Sequence, residues 1–69
     1  PALITEAHIN RAIETASKAL LNKDFSLESK IIFARELSFI PGRGIEALKT
    51  LEPLVAAPVA EEIQAILAQ

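Results

Sequence analysis

"FIPGRGIEAL", residues Phe39 to Leu48, sets two glycines, a proline and an arginine between two apolar stretches. Two readings of Pro41-Gly42-Arg43-Gly44 compete: a loop that cradles phosphate, and the turn between two helices. A phosphate loop of the GxxxxGK[ST] kind needs a lysine on the phosphates and a hydroxyl on magnesium. Here Gly42-Arg43-Gly44 runs on into Ile45-Glu46-Ala47, and no Lys-Ser or Lys-Thr pair follows. A dinucleotide loop of the GxGxxG kind must follow a strand, whereas the residues before Pro41 repeat at helical spacing. The turn accounts for every residue. Pro41 stops one helix, Gly42 is free to take positive φ, and Gly44 opens the next. The chain is therefore read as helix, turn, helix, and ATP or NAD is not expected to bind.

The same pattern extends in both directions. Upstream, residues 27–40 form a second helical segment capped by Ser26, with Leu27, Ile31, Ala34 and Leu37 as its core stripe. Before it, residues 4–22 place Ile9, Ile13, Ala16 and Leu20 on one helical face. Thr5 is the expected N-cap there, and Glu14 with Lys18 the expected i,i+4 pair. The "NKDFS" stretch at residues 22–26 supplies turn-forming side chains between the two. Downstream, a third segment starts near Gly44 with Ile45, Leu48, Leu51 and Val55 as its stripe, ended or kinked by Pro53. A fourth is expected to start at Pro58, with Glu61 and Glu62 near its positive end and Val59, Ile63, Ile66 and Leu67 as its stripe. No stretch alternates long enough to be a strand. The expected fold is all-α, one domain over residues 1–69, with about four short antiparallel helices joined by short loops.

A shift of 35 residues lays "AIETASKALL" (12–21) on "ALKTLEPLVA" (47–56), and Ile31-Ile32 on Ile66-Leu67. With that periodicity, residues 34–58 resemble a tetratricopeptide repeat: Ala34, Leu37, Gly42-Arg43, then Glu46-Ala47-Leu48, Leu51, and Pro58 after the helix. The Trp and Tyr positions of that family have no aromatic equivalent here, and the turn holds an extra residue. The resemblance implies helical hairpins that bind a peptide or a protein, without catalysis. Small arrays of this kind also serve as bacterial secretion chaperones, including the short partners of type III needle subunits.

Composition narrows the classes of function. The 69 residues carry a net charge of −2, no cysteine, no tryptophan and no tyrosine. Phosphate recognition needs clustered Lys and Arg, so nucleic acid is not an expected partner. Thiolate metal sites are excluded, and a small domain without disulfides suits the cytoplasm. The near-apolar run from Leu54 to Ala60 is far short of the roughly 20 residues that span a bilayer, so no membrane span is expected. His8 is the only histidine and has no carboxylate or second histidine at metal-ligand spacing, so neither metal nor other cofactor is expected. Glu61 and Glu62 are adjacent and point apart on a helix, which suits a helix start better than catalysis. Ser17, Ser26, Ser29 and Ser38 show no accompanying base. One enzyme reading stands as an alternative. An N-terminal proline such as Pro1 is the base in the tautomerase family, whose short chains need a β-α-β pattern that residues 42–69 do not show.

What distinguishes the chain is its apolar load. Twenty-three of its 69 residues are Leu, Ile, Val or Phe, while a chain this short buries only about 60% of its unfolded surface. The second segment concentrates the excess. Ile32, Arg35, Glu36 and Phe39 are spaced i, i+3, i+4, i+7 and share a face distinct from the core stripe. Either neighbouring helices cover that face, or it accepts a partner. We expect the second, with Phe39 as apolar anchor and Arg35 and Glu36 setting orientation. The partner is then a helical segment of another protein, or a further copy in a homo-oligomer.

Overall fold

The computed structural model describes residues 5–69, which form four α-helices and one short 3-10 helix. They are α1 (Glu6–Leu21), α2 (Leu27–Ser38), α3 (Arg43–Leu51), the 3-10 helix Glu52–Leu54, and α4 (Ala57–Leu67). Among the described residues there is no strand, so the all-α expectation holds.

Local chemistry sets the helix ends. The Thr5 hydroxyl accepts a hydrogen bond from the His8 amide at 3.3 Å, satisfying one of the unpaired donors at the start of α1. Ser26 does the same for α2, accepting from the Ser29 amide at 3.1 Å. Between them the Asn22 side chain accepts from the Asp24 amide at 2.8 Å, which tightens the reversal of the chain. Pro53 ends regular α-helix at Leu51 and leaves the 3-10 helix behind it, so Val55 lies beyond α3 rather than on it. Pro58 stands in the first turn of α4, where its missing N–H costs nothing, although the helix begins one residue earlier, at Ala57.

The α2–α3 turn spans the four residues 39–42. α2 ends at Ser38, with Phe39 as its C-cap, two residues before the expected limit at Ile40. Gly42 has φ 71° and ψ −70°, the only positive φ among the described residues. The Arg43 amide donates to the Pro41 carbonyl at 2.7 Å across it, which makes Gly42 the centre of a γ-turn that an L side chain rarely tolerates. Gly44 has a different constraint. It is buried, and a Cβ there would run into the carbonyl oxygen of Leu37 and lie 2.9 Å from the Ile40 Cβ. Its missing side chain is what lets the first turn of α3 rest on the last turn of α2.

The core draws on all four helices. α1 contributes Ala16 and Leu20, α2 Ala34 and Leu37, α3 Leu48 and Leu51, and α4 Val59, Ile63 and Ile66. Ile13, Phe33, Ile40, Ile45, Val55 and Leu67 pack against this cluster half-buried. α2 is the central helix, packed against α1, α3 and α4. Leu27, expected in its core stripe, is 45% exposed at the first position of the helix, too near the end for the neighbours to cover it. The 35-residue shift is followed only in part. Ala16 and Leu51 are both buried, but fully buried Ile63 falls on exposed Glu28. No helix among the described residues is long and apolar enough to cross a membrane.

Candidate functional site: the outward face of α2

Helix geometry turns Ala34 and Leu37 inward, at 0% and 1% exposure, and sends Ile32 and Phe39 to the opposite side. Ile32 is 56% exposed and Phe39 81%. Burying a Phe or Ile side chain stabilises a protein by about 1.5–3 kcal/mol, so the fold forgoes a sizeable gain at both positions. Arg35 and Glu36 are exposed as well, so all four residues of the expected contact face lie together on one open surface.

The two charged residues differ in their surroundings. The Arg35 guanidinium faces Glu62 of α4, with Nε and Nη2 each 3.4 Å from a carboxylate oxygen. This contact joins residues far apart in sequence and gives Glu62 a role that its place near a helix start did not reveal. Glu36 forms no ion pair among the described residues; the pairs present are Lys18–Glu14, Arg35–Glu62, Arg43–Glu6 and Lys49–Glu46. Two grooves flank the face. On the α1 side a groove of about 450 Å³ has Ala12, Ala16, Phe33 and Leu37 in its apolar lining and His8, Arg11 and Glu36 among its polar residues. On the α4 side a smaller depression of about 340 Å³ lies among Arg35, Phe39, Glu62 and Ile66. The small Ala12 and Ala16 side chains of α1 are what leave the first groove open.

Other candidates are dispersed. In the glycine turn the amides of Arg43 and Gly44 already donate to the carbonyls of Pro41 and Ile40, at 2.7 and 3.1 Å. Those two donors are not turned toward a ligand, as a phosphate loop requires. The Arg43 side chain reaches back to α1, pairing with Glu6 at 2.6 Å and donating to Asn10. His8 is exposed on the rim of the larger groove, and among the described residues no three His, Cys, Asp or Glu side chains gather as metal ligands would. Ser26 and Ser29 hydrogen-bond each other at the start of α2. Pro1 lies outside the described residues. Comparison with family models, curated proteins and solved structures finds no match for this chain.

Proposed function

We propose that the chain is a protein-interaction module whose contact surface is the outward face of α2, formed by Ile32, Arg35, Glu36 and Phe39. The binding element it suits is an amphipathic helix, which would lay apolar anchors on Ile32 and Phe39 and charged groups on the residues between them. The observation that carries this reading is Phe39, an aromatic side chain left 81% exposed on a chain with few aromatics. Phenylalanine is among the aromatic residues enriched in protein–protein interfaces relative to the rest of the surface. Service as a secretion chaperone, which the tetratricopeptide resemblance suggests, is one form this reading can take.

Leu54 supplies the control, because it is 63% exposed but lies in the 3-10 helix, away from α2. A photo-crosslinking phenylalanine analogue is placed at position 39 or at position 54, and the protein is irradiated in its source cell. Discrete protein adducts from position 39, absent from position 54, are expected. Equal adduct patterns from the two positions would contradict the assignment of the α2 face.

A further inference from the structure

We infer that the groove between α1 and α2 is a second docking site, whose occupant is a helical segment of another protein. That segment carries an acidic side chain on its α1 flank, a basic one on its α2 flank and an apolar seam between them. The site shares only Glu36 with the outward face of α2, so either can be lost without the other. Its shape comes from two neighbouring helices that the short 22–26 turn makes antiparallel. On α1 the lining residues His8, Arg11, Ala12 and Thr15 are spaced i, i+3, i+4, i+7. On α2 Phe33, Glu36 and Leu37 are spaced i, i+3, i+4, with Ile40 just past the helix end. Both walls are therefore helix faces, and the groove runs along α1 for about 10 Å, or two turns. Its floor is apolar. On the α1 side the floor holds only the methyl groups of Ala12 and Ala16, which leaves room for a large apolar side chain of the occupant.

Two features select that occupant. The first is that the walls are helices, whose backbone N–H and C=O groups are bonded within each helix. An extended segment laid there would find no backbone partners, and burying its own polar groups unpaired costs free energy. A helix brings its backbone bonds with it, and its side-chain ridges fit the furrow between two others. The second feature is charge. Arg11 stands on the α1 wall and Glu36 on the α2 wall, both exposed. Neither joins an ion pair among the described residues, with the other or with any third group. Opposite charges left unpaired on facing walls are complementary to a segment that carries the reverse pair. A small ligand of one sign would be drawn to one wall and repelled by the other.

A fluorescent, hydrocarbon-stapled helical peptide of about four turns tests this against the whole chain. It has leucines along one seam, glutamate on one flank and lysine on the other; two twins carry lysine on both flanks or glutamate on both. Affinity is read by fluorescence anisotropy, and the site by amide chemical shifts. The mixed peptide should bind better than either twin, with shifts at Ala12, Ala16 and Leu37. Ala12→Leu, at an exposed position, fills the floor and should weaken binding about tenfold or more while circular dichroism shows the helices intact. Arg11→Glu makes both walls acidic, so the lysine twin should then bind best. Glu36→Lys makes both basic and should favour the glutamate twin. Phe39→Ala should change none of this. No binding by any of the peptides, or binding indifferent to Ala12→Leu, would overturn the groove as a site. A ranking of peptides unmoved by both charge variants would overturn the charge pattern assigned to the occupant. Shifts centred on Ile32 and Phe39, with binding lost in Phe39→Ala, would move the helix to the outward face, overturning this site and supporting the other. A marked gain in affinity on deleting residues 1–4, or a dimer in sedimentation that Ala12→Leu abolishes, would give the groove to the chain itself and overturn the foreign helix.

Discussion

The two sides of α2 are built from similar residues and meet opposite fates. On the inner side Ala34 and Leu37 are enclosed by three other helices; on the outer side Ile32 and Phe39 face open surface. Hydrophobicity alone does not separate them. The inner side couples the helix to α1, α3 and α4, so its loss undoes several contacts together. The outer side touches little of the chain, and its loss should leave the fold nearly intact. α2 is apolar on two sides and the fold covers one of them, which leaves Ile32 and Phe39 as the surplus on which the proposed contact rests.

The inner side is the place to break this contrast. Leu37→Ala leaves a cavity at the centre of the core and should destabilise the domain by about 2–5 kcal/mol, read from urea denaturation. In so small a domain that is enough to threaten folding at ambient temperature. Gly44→Ala should come next, at about 1–3 kcal/mol or somewhat more, because the added methyl meets the Leu37 backbone and forces α2 and α3 apart. Gly42→Ala has open space around its Cβ, so only its positive φ is at issue. It should cost about 1–3 kcal/mol, toward the lower end, as a strained backbone position. Equal effects of the two glycine substitutions would show that the turn tolerates them by a common rearrangement and not by separate causes. Glu62→Gln, which weakens the exposed pairing with Arg35, should change stability by less than about 1 kcal/mol. A larger loss would mean that the outer side contributes to the fold through that pair.

Much of the architecture was legible in the residues because it is decided locally. Thr5 and Ser26 cap the helices they precede through their own hydroxyls. Glu14 and Lys18 pair at 3.0 Å as their spacing requires. Pro41-Gly42 makes the turn it spells, and Pro58 sits in the first helical turn. What was not legible depends on how helices dock. Nothing in the sequence shows that Gly44 is wanted for the close approach of α3 to Leu37, since a glycine at a helix start has a sufficient local reason. Leu27 fits the core stripe by spacing yet lies past the edge of the neighbouring helices. The pairs Arg35–Glu62 and Arg43–Glu6 join different helices, and no periodicity reports them. That Ile32, Arg35, Glu36 and Phe39 share one side of α2 was legible from their spacing. Its exposure was not, because whether three neighbours suffice to cover a helix is a question of volume.

Phe39→Ala is the most direct test of the central claim, that the outer side of α2 is kept for contact and not for folding. It is to be measured beside Leu37→Ala by urea denaturation at protein concentrations low enough to exclude self-association, since binding to the native state adds apparent stability. The account predicts a change within about 0.5 kcal/mol for Phe39→Ala, as for an ordinary surface substitution. A loss of about 3–5 kcal/mol, the cost of truncating a buried phenylalanine, would contradict it.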